Sequence, residues 1–336
     1  MRNLLIFLPL FLCGAVTYKA QPVRAFRMNG FAQGTTWQVT YYATDSLVTK
    51  GQVDSLLAVI DSSLSIYKSY SLISRFNQAE TSINMDDHMT RVIDKSIETY
   101  RQTEGIFDIT VQPLVQAWGF GPKKIDKLPD SATIRSLKQC VDSRFLTVNG
   151  HTLSKTKPCV KIDVNGIAQG YSVDVLAAFL DKQHLANYIV EIGGEIRVKG
   201  HRQPGNEKMK IGIEAPGEDE FQLSLLQKII SIDSGAITTS GSYRKFYESA
   251  GKKISHIIDP RTGYSSQSEL ISVTVYAPDA ITADAYDNAL MVMGVQKALT
   301  FIEQRKDMAA YLIFRKPDGK IADTASSRFY TFIKEH

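Results

Sequence analysis

Asn149-Gly150 stands between two runs of β-formers in "RFLTVNGHTLS", and Gly193-Gly194 divides two alternating runs in "YIVEIGGEIRVKG". Turns of this kind fold a strand straight back on its neighbour, so the chain is committed to antiparallel pairs. "TTWQVTYYA" (35–43) reads as another strand, and further strands run up to "SVTVYAP". Helical periods interrupt them irregularly. Val53, Leu56, Leu57, Ile60 and Leu64 lie at helical spacing. A second helix is expected from Met89 to about Thr103, with Val92, Ile93, Ile97 and Tyr100 inward and Gly105 just past its end. A strand ending near Val164 is expected to turn through glycines into a helix striped by Val173, Leu176, Ala177 and Leu180. Residues 122–130 and 201–208 read as loops, and a helix begins near Ile281. Irregular alternation with frequent hairpins specifies an α+β fold with mixed, largely antiparallel sheets and packed helices, rather than a doubly wound parallel sheet. No linker-like composition divides residues 21–336, so one compact unit is expected.

The first 20 residues differ from the rest. "MRNLLIFLPLFLCGAV" carries Arg2 and then an apolar run from Leu4 to Leu12, too short to span a membrane. It reads as an export signal, removed near Ala15 or Ala20, or as a lipoprotein-type signal anchored through Cys13; Leu12 replaces the small residue that usually precedes a lipidated cysteine. Export would place the chain in the periplasm or on the periplasmic face of the inner membrane. Cys140 and Cys159 then either join or remain two thiols, because spacing does not fix geometry. The formal charge is +4, with Lys and Arg scattered along the chain, so nucleic acid is not an expected partner.

Several stretches could carry chemistry. In "TADAYDNAL", Asp284, Asp287 and Asn288 stand at i, i+3 and i+4 and share one helix face. Such a face either offers oxygen ligands to a hard cation such as Mg²⁺ or is an acidic first turn favoured by the helix dipole. "DVNGIAQG" (163–170) either exposes N–H groups to a phosphate or packs a helix tightly on a strand. "EGIFDITVQPLVQAWGFG" (104–121) places Phe107 and Trp118 where they flank a planar ring or fill core, and "LSIYKSYSLISRFN" (64–77) reads as a polar loop carrying Tyr67, Arg75 and Asn77. "SHIIDPRTG" (255–263) crowds His256, Asp259 and Arg261 around Pro260 and Gly263, either to hold a phosphate or as an ordinary polar turn.

Together these stretches, with "GTTW" and "TTSGSY", resemble the FAD:protein FMN transferases, the ApbE family, in the family's order across about residues 33–294. The resemblance implies a Mg²⁺-dependent enzyme that moves the FMN portion of FAD onto a Thr or Ser hydroxyl of an exported protein, releasing AMP. The acceptor would be a subunit of a membrane redox complex carrying a flavinylation motif. It also implies metal ligands at Asp284, Asp287, Asn288 and the carbonyl of Gly166. FAD contacts would fall at Gln33, Tyr67, Ile106, Phe107, Asp108, Asp163, Gln169 and Ile258, with His256 and Asp284 catalytic and His256 beside the reacting phosphate. Three positions depart from the family's usual residues: Gln33 for Met, Gln169 for Lys, and Asn288 for Thr or Ser. Two other functions compete with transfer: hydrolysis of FAD to FMN and AMP, and flavin carriage without catalysis.

Overall fold

The computed structural model describes residues 21–215, 225–242, 246–249 and 252–333. The expectations for residues 1–20, Cys13 included, lie outside the described residues. Eight strands form one antiparallel sheet, in the spatial order Arg24–Ala32, Thr35–Ala43, Tyr188–Ile192, Glu195–Lys199, Ser234–Gly241, Leu270–Ala277, Ala309–Arg315 and Ile321–Ala325. Alternation along each strand decides which face a side chain enters. Trp37, Val39 and Tyr41 point with Tyr188, Val190 and Ile192 into a core shared with the helices Lys50–Leu64, Asp87–Gln102 and Ala168–Lys182. Tyr42, Val198, Ile237, Tyr276 and Tyr311 point the other way, onto Met209, Ile211, Ile213, Ile230 and Ile232 of a small sheet that covers the opposite face.

The helices begin where the residues at their ends satisfy the first N–H groups. Thr49 and Gln52 form a reciprocal capping box, and Asp86 accepts from Met89 N at 2.8 Å to start the helix that was expected from Met89. The expected Asn149-Gly150 hairpin pairs Leu146–Asn149 with Thr152–Lys155, and Gly150 supplies a φ of +56°.

Three expectations change. Residues 201–208 are not a loop throughout, because His201–Arg202 pairs with the start of Glu207–Ala215. The segment "SLISRF" is largely helical, Leu72–Gln78, started by Ser71, whose Oγ accepts from Ser74 N at 3.1 Å. No strand ends near Val164. The extended backbone there bonds to side chains and to a loop instead of a neighbouring strand: Asn77 takes both backbone groups of Ile162, the Lys155 ammonium takes the carbonyl of Val160 at 2.8 Å, and Asp163 N donates to Ile109 O at 2.7 Å.

Cys140 and Cys159 form a disulfide, with Cα atoms 5.6 Å apart. It clips the end of the Ser131–Lys138 helix to the extended segment that leads into Asp163.

Candidate active site

The helix Ala280–Met293 is buried on nearly every side, its Tyr286, Leu290 and Met291 in one core with Val273, Val275 and Leu312 of the main sheet and the Ala168–Lys182 helix on another flank. Asp284 and Asp287 are only 4% and 1% exposed. That burial bears on both readings of this face. An acid placed merely to suit a helix dipole can stay in water, whereas two buried carboxylates are costly unless something compensates their charge. Burial first, and then the nearby Asp174 charge, pushes the Asp284 carboxyl up to about 7; a hydrogen bond from Gly170 opposes the shift.

Gly170 makes the approach possible. A Cβ there would lie 2.3 Å from Ala280 O and 2.7 Å from Asp284 Cβ, so only glycine lets the two helices pack this closely. Its N–H, in the first helical turn and without an intrahelical acceptor, donates to Asp284 Oδ2 at 2.8 Å. The N–H groups of Ile167 and Ala168 go to Val164 O. The turn after Gly166 is therefore a packing device with these three donors taken, in line with the packing reading of this stretch, although its partner is a helix and not a strand.

Asn288 binds the cluster together. Its Nδ2 donates to Asp287 Oδ1 at 2.9 Å, to Asp284 O at 3.1 Å and to Gly166 O at 3.4 Å, while Ser240 Oγ donates to its Oδ1 at 3.2 Å. The four residues assigned by resemblance to a metal thus converge, although Gly166 and Asn288 are 122 positions apart. The donors fit Mg²⁺: two carboxylates and a backbone carbonyl are hard oxygen ligands. The Asn288 amide is nearly isosteric with its flipped form, which turns Oδ1 toward the same oxygens. Among the described residues there is no group of three or more His, Cys, Asp or Glu that could hold a metal; a site here depends on the amide and the carbonyl.

The other assigned residues fall into two groups. Phe107 is buried and comes within 3.8 Å of the Cβ position of Gly166. Beside it, Asp108 has both carboxylate oxygens engaged: Oδ1 accepts from Thr110 N, Thr110 Oγ1 and Ser143 Oγ, and Oδ2 accepts from Ser143 N. Burial nevertheless raises its pKa. Asp108 holds the turn that presents Ile106 and Phe107. Asp163 accepts from Asn165 N at 2.9 Å, which shapes the turn into Gly166. Tyr67 is 58% exposed, and its phenol is raised by partial desolvation and then by the Asp163 charge, which brings the "SIYKSY" stretch to the same edge. Gln33, at a φ of 53°, donates from Nε2 to Ser172 Oγ at 2.8 Å and so docks the first hairpin on the Ala168–Lys182 helix. Its Oε1 is buried without a hydrogen-bond partner. Gln169 is half-buried on the first turn of that helix.

The second group is the turn around His256. Asp259 and Arg261 pair at 2.9 Å, and Asp259 O accepts from Gly263 N at 2.8 Å. Both charges are engaged in shaping the turn. Trp118 Nε1 donates to Gly263 O at 2.8 Å, and Phe120 meets the His256 ring edge-on at 6.2 Å. Ile258 is buried in the same small core as Leu114 and Ile134. Trp118 therefore joins the core and the turn together, and His256 stands half-buried beside it.

Asn77, Lys155, Asp174 and Ser240 support the site without having been singled out as site residues. Of these, Asn77 stood in the stretch read as a polar loop, and Ser240 in "TTSGSY", one of the stretches that carry the resemblance.

The architecture is that of the flavin transferases. The structure titled flavin transferase ApbE from Vibrio cholerae superposes with a TM-score of 0.83 at 34% identity, over 93% of this chain and 100% of that one. The apo form of Pseudomonas stutzeri flavinyl transferase ApbE gives 0.83 at 29% identity, over 95% of this chain and 100% of that one. A curated FAD:protein FMN transferase of Vibrio cholerae is 36% identical over the full length of both chains, and one of Haemophilus influenzae is 35% identical over 90% of each. The chain belongs to the ApbE family, whose model matches residues 33–312.

Proposed function

We propose that this chain is an FAD:protein FMN transferase that uses Mg²⁺, acts on a Thr or Ser hydroxyl of an exported protein and releases AMP. The observation that carries the reading is that the Asn288 amide bonds the Asp287 carboxylate, the Gly166 carbonyl and the Asp284 backbone carbonyl, on a helix whose Asp284 carboxyl is buried as well. Asp284, Asp287, Asn288 and Gly166 would hold the cation, which when bound supplies charge neutralisation to the FAD pyrophosphate.

The chain's own residues do the rest. Tyr67, Ile106, Phe107 and Ile258 offer apolar surface to the flavin nucleotide, with Gln33, Asp163 and Gln169 at its polar edge. His256, held by its turn, takes the proton of the acceptor hydroxyl as that oxygen attacks the FMN phosphorus. A new P–O bond forms to the acceptor, the P–O bond to the AMP phosphate breaks, and AMP departs with the electron pair. Asp108 and Asp163 fix the turns they cap and the buried helix fixes its own side chains, which suits a reaction that depends chiefly on positioning.

The disulfide supports an oxidising, extracytoplasmic setting, and so does the apolar N-terminal segment. The acceptor in this reading is an exported subunit of a membrane redox complex.

Incubating the purified chain with FAD, Mg²⁺ and an exported acceptor, followed by intact mass measurement, tests the reading. An acceptor heavier by one FMN is expected, and His256→Gln and Asp284→Ala should each lose that product. FMN and AMP appearing while the acceptor mass stays unchanged would instead establish an FAD pyrophosphatase. Bound FAD recovered intact in both arms would establish a carrier.

A further inference from the structure

Asp174 lies one turn beyond Gly170 on the Ala168–Lys182 helix and reaches the start of its neighbour. Its Oδ1 accepts from Ala280 N at 3.0 Å and its Oδ2 from Ile281 N at 2.8 Å, the two N–H groups that open the Ala280–Met293 helix. Arg197, on a central strand of the main sheet, donates to the same Oδ1 at 3.0 Å. Asp279 already caps this helix through Thr282 N, so Asp174 is a second cap supplied from another helix. The two helices are thereby fixed at two points: Asp174 on Ala280 and Ile281, and Gly170 N on Asp284 Oδ2. Between those points lies the rotation and axial setting of the helix that carries Asp284, Asp287 and Asn288 toward Gly166.

We propose that Asp174, held by Arg197, is a positioning residue that sets the register of the Asp284 helix against Gly166 and tunes its hold on a cation. The inference rests on the magnesium reading of that cluster. Two effects act in one direction. The carboxylate fixes where the ligands stand, and its negative charge adds to the field that draws a cation inward. A crevice of about 190 Å³, bordered by Arg91, Asp174 and Arg197, opens over the pair, so both side chains can be replaced without opening the core.

The Gly170 amide is the reporter, because its acceptor is the Asp284 carboxylate and not Asp174. In metal-free protein, Asp174→Asn is expected to speed hydrogen exchange at Gly170 N–H by about tenfold. Calorimetric titration with MgCl₂ in the presence of FAD should show affinity weakened by about tenfold, the scale at which outer-shell partners act. Affinity for FAD without magnesium should stay at the parent's value. Arg197→Met, which leaves the cap itself in place, should speed Gly170 exchange in the same direction but less. Parental Gly170 exchange in both variants overturns the proposal. A parent protein that fails to take up magnesium overturns the metal reading, while the exchange measurement still judges the positioning.

Discussion

Asn77 grips Ile162 by both of its backbone groups, donating from Nδ2 to the carbonyl at 2.8 Å and accepting at Oδ1 from the N–H at 2.7 Å. A side-chain amide here does what a neighbouring strand would do. It holds the extended segment whose next residues are Asp163 and Gly166. Asn77→Ala leaves both Ile162 groups without partners, at a cost of about 2–4 kcal/mol. Chemical denaturation should show that loss, and flavin transfer should fall further than stability alone explains, because the Gly166 carbonyl loses its support. Parental activity in a folded Asn77→Ala protein would refute the link.

The sequence showed some of this and hid the rest, for physical reasons. Hairpins at Asn149-Gly150 and Gly193-Gly194 were legible because their signals are local: the turn residues and both strands are adjacent. The Asp284, Asp287 and Asn288 face was legible because helix geometry alone brings those spacings together. Asn77 and Ile162 are 85 positions apart, and Asp174 and Ala280 are 106 apart. No periodicity encodes such pairs, since each depends on how two elements dock. The strand expected near Val164 was misread for the same cause: its β-forming residues are extended, but their partners are side chains and a loop rather than a ladder. In the His256 turn, composition alone could not tell that Asp259 and Arg261 would satisfy each other.

Burial holds the Asp284 carboxyl near about 7, against 3.8 for the free group. Its raised value means the metal-free fold keeps a proton there that the unfolded chain has lost. Stability from this group is therefore present below about pH 4 and is lost as pH rises toward about 7. Magnesium needs the ionised form, so protons compete with it below about pH 7, and half-saturating magnesium should rise by about tenfold for each pH unit lost. Magnesium titrations at fixed FAD between about pH 5.5 and 8 check this. A requirement that stays flat across the range would show that Asp284 is not titrating at the metal.

Asn288 ties Gly166, Asp284 and Asp287 together through one NH₂ group. Threonine there would supply a hydroxyl oxygen without that set of donors. In the metal-free state Asn288→Thr should cost about 1–3 kcal/mol through lost hydrogen bonds. With magnesium the amide no longer has to turn, so the concentration giving half-maximal rate should fall; a tenfold drop would equal about 1.4 kcal/mol. Thermal denaturation in EDTA and magnesium titration at saturating FAD read the two halves separately. A higher magnesium requirement in the variant would mean that Asn288 is already well matched to the ion.

The Cys140–Cys159 disulfide joins the helix beneath the His256 turn to the segment that leads into Asp163. Ile134 of that helix lies 2.7 Å from the Cβ position of Gly263, and Lys138 Nζ donates to Arg261 O, so helix and turn move together. A covalent link across a sequence separation of 19 restricts the unfolded chain and should contribute about 3 kcal/mol. The double variant Cys140→Ser, Cys159→Ser should lose that much in chemical denaturation. At low temperature its magnesium affinity should be parental, because the cation ligands are held by Gly170 and Asn288 and not by this clip. Its rate of flavin transfer should drop, since the covalent tie between the His256 turn and the Asp163 segment is gone and weaker contacts, such as Lys157 Nζ donating to Gln139 O at 2.9 Å, remain. Measuring magnesium affinity and transfer rate on the same preparation separates the two halves of the site: a parallel fall in both would mean that the disulfide supports the whole fold rather than the joint between them.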